Sequence, residues 1–216
     1  MNLTEHEIRR NKIVADRLLS SELAQTPTPG NIQSYCIKDD TIYLPVLKCA
    51  SSWMTNVLTL TDAQPEHTRN APTVVVITRD PIERWVTGMC TYARLMHTEG
   101  WSTNTTNPTL LLHELITLTE AVPFLDLHTL PQYVYTQHLD TRQILAFKLE
   151  NLHSNMSEYL GIDIPEETYR NRTTEHSYTK WVRPVILKLQ RHLRDSLDYH
   201  YAADYEYLRK LNYYNQ

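Results

Sequence analysis

The strongest constraint on the fold is an uninterrupted β-branched run, Thr73-Val-Val-Val-Ile-Thr78. A strand with one solvated face alternates apolar and polar residues, so a continuous run predicts a strand buried on both faces. Such strands belong to parallel sheets that helices cover on both sides. Apolar runs at about 41–47 and 144–149 predict two further strands, separated by segments with helical spacing. We therefore predict an α/β fold of three layers, with a central parallel sheet between helices.

Residues 1–30 are predicted to be an N-terminal helix and linker in front of this fold, with the helix packed on the core; mediation of association is the alternative. Thr4 and Glu7 form a capping box in front of an apolar stripe with helical spacing, which predicts an amphipathic helix. The linker Thr26-Pro-Thr-Pro-Gly-Asn31 ends that helix. Residues 31–216 contain no internal repeat, and we predict that they form a single α/β domain.

Charge and cysteine usage narrow the function classes. The formal net charge of −4 argues against a nucleic-acid partner. The three cysteines, Cys36, Cys49 and Cys90, form no CxxC motif, which indicates free thiols in a reducing compartment. The sequence contains neither a membrane-spanning run nor a signal-peptide core, so we expect a cytoplasmic protein without a membrane partner. An anchored protein from which the anchor has been trimmed is the alternative. The scattered histidines predict no metal site.

Residues 43–58 predict a strand, a short polar turn and a helix in succession. This geometry directs backbone N–H groups and the positive end of the helix dipole towards one point, which favours an anion. Lys48 adds a positive charge there, and Ser51 and Ser52 add hydroxyl donors. The turn contains no glycine and is therefore not a Walker A loop. A buried strand that leads into a serine-capped helix is the alternative interpretation.

A second anion-binding pattern follows the β-branched run directly. Arg79 stands at the predicted end of that strand, and Asp80, Pro81 and Glu83 make a strong helix start. Thr87 lies two turns into the predicted helix. Because parallel strands end at one edge of their sheet, the two patterns predict a ligand with two separated anionic groups.

These two stretches resemble the cofactor motifs of sulfotransferases that use 3'-phosphoadenosine 5'-phosphosulfate (PAPS), especially the carbohydrate-type branch. Leu47-Lys48-Cys49-Ala50-Ser51-Ser52-Trp53 resembles the 5'-phosphosulfate loop of that family, and Arg79 with Thr87 resembles its 3'-phosphate motif. The resemblance implies a P-loop-like sulfotransferase fold, with PAPS as co-substrate and no metal. The donor-binding residues that it implies are Lys48, Cys49, Ala50, Ser51, Ser52, Trp53, Arg79 and Thr87.

Two later segments add to the resemblance. His128-Thr-Leu-Pro-Gln132 resembles a His-x-x-Pro-Gln element on the acceptor side of carbohydrate-type sulfotransferases, although Leu130 stands where relatives often carry a basic residue. His128 is the base that this implies, and His97, His138 and Glu99 remain alternatives. Asn171-Arg172-Thr173 resembles a segment that closes over the nucleotide, which implies a phosphate contact for Arg172. A solvated arginine is the alternative for that residue.

The resemblance implies transfer of a sulfuryl group to an acceptor hydroxyl, with a carbohydrate as the expected acceptor class. Lys48 would neutralise the leaving group, and His128 would take the acceptor proton. One alternative is a kinase-like phosphotransferase, which the missing Walker glycines and the lack of a clear Mg²⁺ carboxylate set disfavour. The other is a nucleotide-binding protein of the same fold without activity.

Overall fold

The computed structural model describes residues 35–38, 41–58, 61–63, 73–100, 102–120, 123–126, 128–137, 139, 143–164 and 177–211. The predicted N-terminal helix and linker lie outside these residues, as do His138 and Arg172. Within the described residues the fold is mixed α/β, which confirms the predicted class.

A mixed sheet forms the β layer, in the order β3-β1-β2-β4-β5. Its strands are β1 (Tyr35–Lys38), β2 (Thr41–Leu44), β3 (Thr61–Ala63), β4 (Val74–Thr78) and β5 (Ile144–Lys148). Strands β2, β4 and β5 are parallel, with Val75 of β4 opposite Tyr43 on one side and Leu145 on the other. Strand β1 pairs antiparallel with β2 and with β3. The predicted parallel sheet is thus confirmed for three strands, and two antiparallel pairings extend it.

Strand β4 occupies the position that its composition predicts. It lies between two parallel neighbours, and every residue from Val74 to Thr78 is buried. The hydroxyl of Thr78 donates to the carbonyl oxygen of Phe147 in β5 (3.3 Å), so its polar group is satisfied inside the sheet. Burial on both faces is therefore confirmed for this strand.

Strand β2 ends at Leu44, earlier than the predicted boundary near residue 47. Pro45 has no N–H for the sheet ladder, and the N–H of Val46 donates to the carbonyl of Leu44 (3.0 Å) across a tight turn. The chain then enters a loop, residues 45–50, that leads into helix α1 (Ser51–Val57). We call this segment the β2–α1 loop. Because β2 and β4 are parallel neighbours, this loop and Arg79 leave the sheet at the same edge.

The remaining helices are α2 (Pro81–Thr98), α3 (Pro108–Thr119), α4 (Tyr133–Thr136), α5 (Leu152–Leu160), α6 (Ser177–His192), α7 (Arg194–His200) and α8 (Ala202–Lys210), with a 3-10 turn at Leu149–Asn151. Helix α3 begins directly after Asn107, whose side chain accepts hydrogen bonds from the N–H groups of Thr109 (3.0 Å) and Leu110 (3.2 Å). Helix α5 ends at Gly161, whose φ of 64° is a left-handed conformation that glycine tolerates. In the described part of the chain, no helix combines the length and apolar character needed to cross a bilayer.

The described residues fall into two compact units. One unit, which we call the helical unit, lies within Ile82–Leu130 and Asn171–Ala202. The other, which we call the sheet unit, lies within Pro27–Pro81, Pro131–Arg170 and Ala203–Gln216. The sheet unit holds all five strands and the β2–α1 loop, whereas the helical unit holds most of α2 and the helices α3, α6 and α7. A single domain over residues 31–216 stays a prediction.

Helices cover both faces of β5 within the sheet unit. Ile144 and Ala146, which point to one face, pack against the apolar cluster around Leu208 of α8. Phe147 points to the other face and contacts the ring of Tyr159 in α5, with 5.4 Å between ring centroids. This strand is therefore sandwiched between helices, as the prediction of helices on both faces requires.

The segment that carries His128 is tied down within the helical unit. Its anchors on α2 are Arg84, whose Nη1 donates to the carbonyl of Leu130, and Trp85, whose indole N–H donates to the carbonyl of Pro123. The hydroxyl of Tyr201 donates to the carbonyl of Thr129. All three donor side chains are fully buried. Hydrogen bonds thus hold Pro123 on one side of His128, and Thr129 and Leu130 on the other.

We expect Gly88→Ala to destabilise the protein by about 1–3 kcal/mol, the usual cost of forcing extra atoms into a packed site. A Cβ at this position of α2 would lie well inside 3.0 Å of the His128 carbonyl oxygen, which is backbone and cannot swing away. Urea denaturation measures the loss. Gly100→Ala is the control, because there a Cβ meets nothing within 4 Å and only the φ of 67° opposes it. A Gly88→Ala protein as stable as the parent would refute the close approach.

Candidate functional site

The β2–α1 loop has a backbone conformation that its sequence does not predict. Lys48 has a φ of 66° and Ala50 a φ of 55°, and neither is a glycine. Each left-handed non-glycine residue costs on the order of 1–3 kcal/mol and persists only where its surroundings impose it. Such residues cluster at functional sites, so this loop is the first candidate for one.

The sign of φ alternates along Lys48-Cys49-Ala50, since only the outer two residues are left-handed. Backbones that alternate in hand can turn successive N–H groups towards one concavity that binds anions, although here the N–H of Cys49 donates to the carbonyl of Val46 (3.0 Å). Helix α1 starts directly after Ala50 without a side-chain cap from that residue. The alternation in hand therefore favours an anion site at the outer residues of this segment, even though the loop contains no glycine.

Gln132 connects the β2–α1 loop to Arg79 inside the sheet unit. Its side-chain oxygen accepts hydrogen bonds from the N–H of Arg79 (3.0 Å) and from the thiol of Cys49 (3.3 Å). Its side-chain nitrogen donates to the carbonyl oxygen of Arg79 (2.7 Å). The two segments predicted to bind separate anionic groups are thus joined through one buried amide.

The backbone next to Gln132 is held in turn by Asp204 of α8. One carboxylate oxygen accepts the N–H of Gln132 (2.8 Å), and the other accepts the N–H of Tyr133 (2.7 Å). Asp204 is completely buried. Burial, and after it the charge of Asp204, raises the pKa of the Tyr133 phenol.

The predicted donor-binding side chains differ in exposure. Cys49 and Trp53 are buried, so their side chains belong to the core of the sheet unit. Lys48 and Ser51 are half-buried, and Ser52 is exposed. Contact with a ligand through side-chain atoms is therefore open to Lys48 and the two serines, whereas Cys49 and Trp53 contribute by shaping the loop.

The two residues predicted for a 3'-phosphate are placed differently. Arg79 is half-buried directly after β4, and Gln132 fixes both its backbone N–H and its carbonyl. Thr87 is buried in the helical unit, where its hydroxyl donates to the carbonyl of Glu83 (2.9 Å) within α2. To donate to a phosphate, Thr87 would have to give up that bond. Arg79 is therefore the stronger candidate of the two.

His128 and Asp126 form a hydrogen-bonded pair in the helical unit. Nδ1 of His128 lies 2.7 Å from Oδ2 of Asp126, and the N–H of His128 donates to Oδ1 (3.0 Å). The histidine side chain is 25% exposed and the aspartate side chain 8%. A carboxylate at Nδ1 holds the proton on that nitrogen and leaves the lone pair on Nε2, which is the arrangement of a general base.

The alternative bases His97 and Glu99 lie in surroundings that differ from those of His128. Nδ1 of His97 lies 3.0 Å from the hydroxyl of Thr105, and its ring stacks on Tyr178 with 4.5 Å between centroids. Burial, and after it the charge of Glu114, raises the pKa of Tyr178 to about 12, so this phenol stays protonated near neutral pH. Glu99 is exposed. Among the candidate bases in the described part of the chain, only His128 has a carboxylate partner.

Sequence reasoning missed three residues of these arrangements. Asp126 carried a signal, since it is an acidic residue two positions before His128 in an otherwise apolar segment. Gln132 was seen only as part of the His-x-x-Pro-Gln element, and no role was predicted for Asp204. Their partners are far away in sequence, so no local pattern predicts the contacts.

Comparisons of this chain with protein-family models, curated proteins and solved structures found no match. Within the residues that the structure describes, no three histidine, cysteine, aspartate or glutamate side chains converge as metal ligands. A mechanism without a metal stays a prediction.

Proposed function

We propose that this protein is a sulfotransferase that moves a sulfuryl group from PAPS to an acceptor hydroxyl, with a carbohydrate as the acceptor class. A P-loop-like sulfotransferase fold is part of the same proposal. The observation that carries it is the common sheet edge of the β2–α1 loop and Arg79, which follows from the parallel pairing of β2 and β4. Two anion-binding segments at one edge suit a nucleotide with phosphate groups at both its 5' and 3' positions.

On the donor side, the β2–α1 loop takes the 5'-phosphosulfate and Arg79 the 3'-phosphate. The left-handed residues Lys48 and Ala50 support this assignment, because strained backbone at a loop is retained where function requires it. The Lys48 ammonium group neutralises charge on the bridging oxygen as the bond from that oxygen to sulfur breaks. The other product is 3'-phosphoadenosine 5'-phosphate.

On the acceptor side, Nε2 of His128 takes the hydroxyl proton while the acceptor oxygen forms its new bond to sulfur. The Asp126 carboxylate stabilises the imidazolium that results, through the hydrogen bond at Nδ1 (2.7 Å). No atom changes oxidation state in this step, and the His128 imidazolium afterwards releases its proton to solvent. The chemistry thus consists of in-line displacement with positioned charge and one general base.

Calorimetry with 3'-phosphoadenosine 5'-phosphate, ADP and ATP tests the donor. We expect the 3'-phosphorylated nucleotide to bind best, without Mg²⁺. A preference for ATP with Mg²⁺ would favour a phosphotransferase. A transfer assay with radiolabelled PAPS over glycans, phenols and amines then tests activity, and binding without transfer to any acceptor would favour a protein without activity.

Arg79→Ala should weaken binding of the 3'-phosphorylated nucleotide by about 1.5–3 kcal/mol, the value of a charge-assisted hydrogen bond. Adenosine 5'-phosphate, which lacks the 3' group, should bind almost as it does to the parent. Calorimetry on both nucleotides measures the difference. Arg209→Ala is the control, since this exposed arginine pairs only with Glu206 of its own helix at 2.9 Å among the contacts described. Equal losses for the two nucleotides would remove Arg79 from the 3'-phosphate site.

A further inference from the structure

Both polar atoms of the Gln132 side-chain amide are hydrogen-bonded inside the protein. The residue is 1% exposed, and its oxygen and nitrogen together pair with the N–H and carbonyl of Arg79. The pairing resembles one rung of a sheet ladder, except that it comes from a side chain. It fixes the peptide groups on both sides of the Arg79 α-carbon, and hence the direction in which that side chain leaves the sheet edge.

The same amide oxygen also receives the Cys49 thiol, which lies between the two left-handed residues of the β2–α1 loop. Cys49 is completely buried, and its N–H donates to the carbonyl of Val46 (3.0 Å). The middle of the loop is therefore held at two points, one in the loop itself and one at Gln132. Without the contact to Gln132, fewer contacts would hold the strained backbone in its left-handed conformation.

Gln132 is also held in place by Asp204 of α8. Both oxygens of the buried Asp204 accept backbone N–H groups at the start of α4, from Gln132 and Tyr133. Helix α8 itself is anchored to β5 through the apolar cluster around Leu208. A continuous set of buried contacts thus runs from β5 through α8 to Gln132.

We propose that Gln132 is a positioning residue that fixes the spacing between the β2–α1 loop and Arg79, so that the site selects nucleotides phosphorylated at both the 5' and 3' positions. This inference rests on the proposed function. A fixed spacing lets one ligand meet both anion sites without paying to order them, so the two phosphates reinforce each other. When the spacing between the two anion sites is not fixed, each phosphate still binds its own site. Binding of the first phosphate then increases the affinity for the second by less.

The experiment compares adenosine 5'-phosphate, adenosine 3'-phosphate and adenosine 3',5'-bisphosphate by calorimetry. Gln132→Met keeps a side chain of similar volume without its amide, and should lose about tenfold or more in affinity for the bisphosphate, the scale of one buried hydrogen-bonding group. Each monophosphate should lose about threefold or less, because each uses one anion site only. Gln190→Met, at a half-buried glutamine of α6, is the matched control and should change none of the three affinities.

Hydrogen exchange of the Arg79 amide gives a readout without ligand. Gln132→Met should speed exchange at that amide, whereas Gln132→Glu, which keeps an accepting oxygen, should restore part of the protection. If Gln132→Met does not fold, Asp204→Asn tests the same contacts from the other side and should shift affinities in the same direction.

The outcomes separate the two claims. A parent protein that does not prefer the bisphosphate overturns the proposed function and the selectivity inferred from it. A parent that prefers it, with Gln132→Met losing equally for all three nucleotides, overturns the inference alone. Unchanged Arg79 exchange in Gln132→Met also overturns it.

Discussion

Replacing Lys48 with alanine should lower the turnover of sulfuryl transfer by about 10²–10³-fold, the cost of removing one preorganised group that stabilises charge in a transition state. In the proposed reaction, negative charge builds on the bridging oxygen as its bond to sulfur breaks, so the ammonium group would stabilise the transition state more than the ground state. Affinity for 3'-phosphoadenosine 5'-phosphate should fall much less, since Arg79 and the loop backbone remain. Radiolabelled-sulfate transfer and calorimetry on one preparation separate the two effects.

The two Lys48 variants have the same backbone constraint at this position as the parent protein. Alanine and arginine both carry a Cβ, so neither changes the steric cost of the φ of 66° at this position. Lys48→Arg keeps the charge on a larger planar group and should recover part of the rate. Lys188→Ala, at an exposed lysine of α6, is the control. Much weaker nucleotide binding with unchanged turnover in Lys48→Ala would contradict a role in the transition state.

The sheet was predictable because one run of residues has a single physical interpretation. Val74–Thr78 has no polar alternation, and only a strand covered on both faces buries all of it. The parallel order of β2 and β4 then puts the following segments at one edge. Strand β3 was missed because Thr61-Asp62-Ala63 is too short and too polar to show a period.

Apolar residues continue at helical spacing from Val182 to Leu197, yet this stretch belongs to two helices, α6 and α7, that meet at Leu193. The N–H of Leu193 still donates to Leu189 (2.9 Å), and that of Leu197 to Leu193 (2.8 Å). Helical hydrogen bonds and apolar spacing therefore continue across Leu193, whose φ of −95° and ψ of 13° interrupt the helix. Hydrophobic periodicity detects spacing along the chain and does not detect such an interruption.

The candidate site was predictable in its local motifs and unpredictable in its long-range contacts. Lysine and alanine give no sign of left-handed backbone, since that conformation is imposed by the surroundings and is not favoured by either residue. The contacts of Gln132 with Cys49 and Arg79 join segments with long stretches of chain between them. Patterns within a window cannot register such contacts, so the sequence predicted nothing of the hydrogen bonds that Gln132 makes to both segments predicted to bind the donor.

Replacing His128 with alanine should lower turnover by about 10²–10⁴-fold, the range for a lost general acid–base group. Binding of 3'-phosphoadenosine 5'-phosphate should stay close to the parent value, because the proton transfer contributes only in the chemical step. The acidic limb of the pH–rate profile should flatten, since that limb reports loss of the neutral base. His113→Ala, at an exposed histidine of α3, is the control.

Asp126→Asn tests how the histidine is oriented. An asparagine amide can present either its oxygen or its nitrogen to Nδ1, so the proton is no longer held on that nitrogen and part of the Nε2 lone pair is lost. We expect a smaller loss of turnover than for His128→Ala, together with a shifted acidic limb in place of a flat one. A purely structural Asp126 would change stability and leave that limb unmoved. Parent-like transfer by His128→Ala would place the base elsewhere, and His97 and Glu99 would be the next residues to test.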